Sequence, residues 1–237
     1  MRIRITAALV VATAAAFALA GCVPFQTAGE TVTEEREIDD ASSVVLRTSG
    51  DLDITLGSTP SLTVTAGENV LERLTNEVDD GELVLGSRRG AFLIGGWDID
   101  YELTVTSLES VTIDGSGDVT AEFADASDVR IQINGSGSIE ASGLDADEVR
   151  AGIAGSGSLD LSGATESLDV NVSGSGEVDA SDLGAATATV LVSGSGNVQV
   201  DASDELDATV TGSGTIVYAG RPSVRSNVTG SGEIRPE

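Results

Sequence analysis

Asp114 and Asp118 stand four residues apart, on either side of a Gly115-Ser116-Gly117 triplet. In an extended chain that spacing gives both carboxylates the same outward parity. Two carboxylates at a defined separation are what glycoside hydrolysis asks of a protein. The plainer reading is a solvated outer face, because the equivalent positions around later triplets are mixed Asn, Ser, Thr and Glu. Most other chemistries are excluded. Histidine is absent, which removes the usual base of a Ser or Cys triad and the commonest imidazole ligand. All 12 basic residues are Arg, so Ser-Lys and Schiff-base catalysis are ruled out as well. The Gly-Ser-Gly triplets resemble phosphate-binding loops only superficially, since none continues into Gly-Lys-Ser/Thr or a predicted helix.

Calcium is the ion to consider, because hard cations want oxygen ligands. The acidic connecting segments offer Asp125, Asp128, Asp145 and Asp147 as weak candidates. The calcium-binding β-roll nonapeptide and the EF-hand loop are both missing, so neither a metal nor a cofactor is expected. A protein partner is better served by residues 88–97, where Arg88, Arg89, Phe92 and Trp97 gather the only Trp and two Arg in a chain with 3 % aromatic residues. Aromatic and Arg side chains are enriched at binding hot spots. A hairpin folded over the end of the molecule explains the same segment.

The elements that position these residues are set by a repeat. Seven Gly-Ser-Gly triplets centre on Ser116, Ser136, Ser156, Ser175, Ser195, Ser213 and Ser231, spaced 18 to 20 residues apart. Three residues before each Ser stands Ile or Val, and three after it Val, Ile or Leu, so all fourteen flanking positions are aliphatic. Strand parity turns those aliphatic residues and both Gly inward and the Ser outward, with Gly allowing the bend. Thirteen of the fourteen next outward positions are polar or charged. Each repeat therefore reads as strand, Ser-tipped bend, strand, acidic turn and return. One coil cannot bury its aliphatic row, but stacked coils can. The predicted fold is an all-β parallel β-solenoid with 18–20 residues per coil, each rung rising roughly 4.8 Å. A β-sandwich is the rival. The common phase of all seven triplets favours stacking.

Thr48-Ser49-Gly50, flanked by Leu46 and Leu52, reads as a degenerate first coil. Strands are expected over 62–65, 82–85 and 101–105, with one or two helical turns over 68–74, where Val70, Leu71 and Leu74 share a face. This irregular segment would cap one end of the stack, while Arg221-Pro222, Arg225 and Arg235-Pro236 blunt the other.

Ahead of the repeats, Arg2 and Arg4 precede an apolar stretch from Ile5 to Ala20 that ends in Leu19-Ala20-Gly21-Cys22. That pattern reads as a signal peptide rather than a permanent span. The tetrad resembles the bacterial lipobox, which makes Cys22, the only cysteine, the expected lipidation site, carrying a diacylglyceryl group and an amide-linked chain such as palmitate. Two or more acyl chains hold a protein stably on a membrane. Residues 1–21 are then the signal peptide, 22–40 the lipidated N-terminus and polar tether, and 41–237 a single domain. The formal charge is -27; residues 1–21 hold two Arg and no acid, so the processed chain carries -27 - 2 = -29. That field repels nucleic acid and anionic headgroups.

The block Thr65-Ala66-Gly67-Glu68-Asn69-Val70-Leu71-Glu72-Arg73-Leu74, the run Glu77 to Leu85, and the strand Tyr101 to Val105 leading into Ile113-Asp114-Gly115-Ser116-Gly117-Asp118-Val119 resemble the auto-transporter adhesin head GIN domain family. The resemblance runs from about Ala41 to Glu233 and implies a right-handed β-helix-like solenoid on an envelope protein. No translocating barrel follows the repeats, so the lipid anchor is expected to replace it. The leading expectation is a lipid-anchored envelope protein whose repetitive surface binds an envelope glycan or surface protein without catalysis. The alternatives are a glycan-processing enzyme on the same scaffold and a passive spacer or envelope-stress accessory. A flat face favours display, and a pocket lined by two acids favours the enzyme.

Overall fold

The computed structural model describes residues 28–88 and 98–237. In chain order the elements are β1 (Thr31–Arg36), β2 (Ser43–Leu46), β3 (Asp51–Leu56), β4 (Ser61–Gly67), the one-turn α1 (Glu68–Leu71), β5 (Leu74–Asp79), β6 (Glu82–Ser87), β7 (Asp100–Val105), β8 (Ser110–Gly115) and β9 (Asp118–Glu122). The long strands β10 (Asp125–Gly135), β11 (Ser138–Gly155), β12 (Ser158–Gly174), β13 (Glu177–Gly194) and β14 (Asn197–Gly212) follow. The chain closes with β15 (Thr215–Gly220), β16 (Ser223–Gly230) and β17 (Glu233–Pro236). The expected parallel β-solenoid is what forms.

The triplets stack in register. Gly135 pairs with Gly155, Gly155 with Gly174, Gly174 with Gly194 and Gly194 with Gly212. Inward residues consequently form columns. Ile113, Ile133, Ile153, Val172, Val192 and Val210 lie one above another, each fully buried, and Val119, Ile139, Leu159, Val178, Val198 and Ile216 form a second column across the coil. Each β-branched side chain packs on its counterpart one rung away, which is how coils without individual cores share one. Among the described residues no buried side-chain N or O lacks a hydrogen-bond partner.

The connecting segments are not turns. Asp125 pairs with Asp145, Ala126 with Ala146 and Asp128 with Glu148, in the same parallel ladder as the rest. Leu144 and Ala146 face inward and are buried. Hydrogen bonds between rungs satisfy this backbone as well as a tight turn would, so a polar composition does not break the strand. On two rungs the chain bends just ahead of this segment at glycines of positive φ, Gly143 at 71° and Gly163 at 137°.

Stack order departs from chain order at the N-terminal end. β2 pairs in parallel with β6 on one side and β8 on the other. β3 is likewise sandwiched between β7 and β9. The degenerate coil around Ser49 is thus the second rung, and the later strands β6 and β7 form the outermost one. Their outer edges are taken by antiparallel partners, β5 on β6 and β4 on β7. Thr31–Arg36, within the stretch expected as tether, form a strand antiparallel to β4. Its side chains are mostly exposed, so main-chain pairing and Arg36 hold it. The Arg36 guanidinium donates to the carbonyls of Leu71 at 2.9 Å and Leu74 at 3.3 Å. The predicted helix is a single turn, and Leu74 opens β5 instead.

Candidate binding surface

All seven triplet serines lie exposed along one corner. Their side chains face solvent, and from Ser136 onward their backbone N–H groups donate to the rung beneath, Ser156 to the Gly135 carbonyl and Ser175 to Gly155, each at 2.9 Å. Two flat faces meet at this corner, and they differ in charge.

On the face before the triplets, register aligns Asn134, Ala154, Ser173, Ser193, Thr211 and Thr229 in one outward column. Beside it run Gln132, Gly152, Asn171, Leu191, Thr209 and Asn227. None is ionisable. Gln132 lies over Gly152, where a Cβ would meet its Oε1 at 2.3 Å, and its Nε2 donates to Asn134 Oδ1 at 3.3 Å. Amides and hydroxyls therefore line most rungs of this strip, interrupted at Gly152, Ala154 and Leu191, with Asp114 at its N-terminal end.

The face after the triplets is acidic. Asp100, Asp51 and Asp118 are consecutive register partners, and so are Glu102 and Asp53 in the neighbouring column. Further along that second column come Glu140, Asp160 and Asp179. Partial burial, then the facing carboxylates of Asp118, Asp100, Asp53 and Asp98, hold Asp51 above the ordinary Asp value. Partial burial, then Asp179, Glu140 and Asp182, do the same to Asp160. A cavity of about 370 Å³ follows this face between Asp118 and Asp179.

The Asp114–Asp118 pair is divided by the corner and committed to contacts between rungs. Asp114 accepts from Asn134 Nδ2 at 2.9 Å and from Arg47 Nε at 3.3 Å. Asp118 accepts from the Ser138 hydroxyl at 2.6 Å and its backbone N–H at 3.1 Å. Of the calcium candidates, Asp128 accepts from Arg150 at 3.4 Å, Asp145 and Asp147 are exposed, and Asp125 opens β10. Among the described residues no group of three His, Cys, Asp or Glu side chains is arranged to hold a metal ion. Arg88 is exposed and donates to the Glu72 carbonyl at 3.4 Å. Arg89, Phe92 and Trp97, like Cys22, lie outside the described residues.

Sequence reasoning missed the carboxylate cluster on Asp51, Asp53, Asp100 and Glu102. The degenerate coil contained half the signal, since Asp51 stands two after Ser49 as Asp118 stands two after Ser116. Nothing in the sequence placed β7 beside it.

Parallel coils stacked in register, closed at one end by antiparallel strands and lined outside by flat polar columns, define a β-solenoid with extended surfaces. The chain belongs to the family described as "Putative auto-transporter adhesin, head GIN domain", which matches residues 42–222. It is similar to a solved structure from Parabacteroides distasonis ATCC 8503 described as a "putative lipid binding protein", at 27 % identity and TM-score 0.73, covering 88 % of this chain and 97 % of that one. A "putative adhesin" from Bacteroides fragilis NCTC 9343 shares the fold at 21 % identity and TM-score 0.84, covering 88 % and 97 %. Another from Parabacteroides merdae ATCC 43184 does so at 22 % and 0.70, covering 89 % and 98 %. No curated protein matches the chain. Among the described residues no helix is long and apolar enough to cross a membrane.

Proposed function

We propose that this chain is a lipid-anchored protein of the bacterial cell envelope, held through Cys22, whose solenoid binds an extended uncharged partner without catalysis. The observation that supports this most directly is the in-register strip of Asn, Gln, Ser and Thr on the face before the triplets. Columns that present an amide or a hydroxyl on most rungs suit a partner that is itself repetitive, and a neutral glycan chain offers hydroxyls to match. The acidic face and the charge of -27 disfavour polyanions. The family description, an adhesin head domain, agrees with a surface role.

The test is binding of the full chain to a glycan array and to intact cells. Ser173→Glu with Ser193→Glu should abolish capture, while Asp160→Asn on the other face should leave it intact. Capture that survives the paired substitution refutes the neutral face as the site, and no capture at all favours a passive spacer.

Glycan hydrolysis is a second reading, carried by Asp160 and Asp179. They are register partners on adjacent rungs, and a rung spacing of about 4.8 Å approaches the roughly 5–5.5 Å between the carboxyls of a retaining glycosidase. Release of reducing ends by the native chain, lost in Asp160→Asn, would establish it; no release across neutral and acidic glycans would remove it.

A further inference from the structure

We propose that the last coil is a self-association surface, on which a second copy of this chain pairs tail to tail through β16. Among the described residues β16 pairs only with β14, and β17 only with β15. The outer N–H and C=O groups of an eight-residue strand are therefore open to another chain. Its inward-facing valines are open too. Val224 and Val228 are 38 % and 43 % exposed, whereas Leu206 and Val210, their register partners one rung below, are fully buried. The core column ends with one side of each valine uncovered.

The sequence of β16 suits a copy of itself. Val224-Arg225-Ser226-Asn227-Val228 is symmetric about Ser226 in its inward residues. Antiparallel pairing centred on Ser226 sets Val224 directly against Val228 of the second copy, on both sides of the two-fold axis, and directly opposed residues share a face. The same register sets Arg225 against Asn227, so no like charges meet.

Charge favours this end over the acidic surfaces. Residues 221–237 hold Arg221, Arg225 and Arg235 against Glu233 and Glu237, a net 3 - 2 = +1, so the rest of the chain carries -27 - 1 = -28. Two strongly acidic bodies repel less through a region that is not acidic. At the opposite end the outer edges of β6 and β7 are already occupied by β5 and β4, so a tail cannot add there as another parallel rung. The pairing closes as a dimer rather than growing into a fibre. Ala28 packs against Gly67 at the capped end, so the two N-termini of the pair point apart. Resting on the anchor through Cys22, that geometry would join two facing membranes.

The experiment is oxidative cross-linking of the full chain in detergent. Ser226→Cys faces itself across the axis, where opposed Cα atoms lie about 4.5–5.5 Å apart, within disulfide reach. It should form covalent dimer at least about tenfold more efficiently than Ser173→Cys in the middle of the stack, with the native chain as the control for Cys22. Sedimentation of the native chain should show a concentration-dependent dimer that Val228→Arg shifts to monomer without lowering the melting temperature. Equal cross-linking at positions 226 and 173, or a native chain that stays monomeric up to about 100 μM, overturns the proposal. Both readouts are independent of glycan capture and of the anchor, so failure here leaves the functional reading standing.

Discussion

Gly155 sits directly over Gly135: a Cβ built on Gly155 would stand 2.1 Å from the Gly135 carbonyl oxygen, the same oxygen that accepts the Ser156 N–H at 2.9 Å. From Gly135 onward the first glycine of each triplet is thus fixed by the rung beneath it and by its own backbone, with φ at +140° for Gly155. The second is fixed by the core. A Cβ on Gly157 would meet Ile133 Cγ2 at 2.8 Å and the Gly137 carbonyl at 2.5 Å. The inward bend read from the sequence describes the second glycine well and the first only in part.

Gly155→Ala should cost about 3 kcal/mol, from strain at positive φ and the overpacked carbonyl, and lower Tm by roughly 6–12 °C. Gly115→Ala should be nearly neutral. Gly115 has no positive φ, and its Cβ would lie 3.5 Å from the Thr48 carbonyl. Thermal melts compare the two directly; equal losses would mean that stacking on the preceding rung does not determine which glycines are required.

That contrast also marks what the sequence made legible. The aliphatic columns followed from the phase of the triplets, and Thr48 in place of a first glycine was visible as a degenerate coil. Its consequence was not. Thr48 is buried and its hydroxyl reaches the buried Tyr101 hydroxyl at 3.5 Å, a contact that exists because β7 lies on the far side of β3. The order of those rungs depends on the excursion through β4, α1 and β5, which has no period to read. β1 was hidden for a different reason: its side chains are mostly exposed, so no alternation distinguishes it from a tether, and its pairing is a main-chain matter. The acidic connectors misled through composition, since their inward Leu144 and Ala146 are too few to register as a strand pattern.

Lowering the pH from neutral should stabilise the fold before acid destroys it. Asp51 and Asp160 titrate above the ordinary value of 3.8 in the folded state. Their contribution is fully present below about 3.8 and is lost as pH rises through the raised folded values. Asp40 runs the other way, held low chiefly by the Thr106 hydroxyl. Its contribution is present above 3.8 and is lost as pH falls through the depressed folded value. Tm should therefore climb as pH falls from neutral through the raised Asp51 and Asp160 values, and fall below about 3.8 as Asp40 takes up its proton. Asp160→Asn should raise Tm at pH 7 by about 1–2 °C, the size of a surface change, and flatten the climb. A Tm that declines steadily from pH 7 downward would contradict this account.

Arg36 should matter more than its ion pair. Its side chain is 13 % exposed and serves the Leu71 and Leu74 carbonyls as well as Asn76 Oδ1, whereas its partner Glu34 is half exposed. Arg36→Met leaves those carbonyls without their charged donor and should cost about 2–3 kcal/mol, while Glu34→Gln should cost less than about 0.5 kcal/mol. Hydrogen exchange should show the loss at β1, α1 and β5, with the coils from β10 onward still protected. Uniform loss of protection would mean that cap and stack unfold as one unit.

Cys22→Ser isolates the anchor from the fold. The chain holds no other cysteine, so the substitution removes the only site a thioether-linked diacylglyceryl group could use and alters no disulfide. If lipid alone holds the protein, fractionation should move it from the membrane pellet to the soluble fraction, since a processed body of charge near -29 has no attraction for anionic headgroups. Its melting curve and circular dichroism should match the native body, because position 22 precedes β1. Retention in the pellet after high-salt washing would show that another segment holds the membrane, with the apolar stretch from Ile5 to Ala20, uncleaved, as the first to examine.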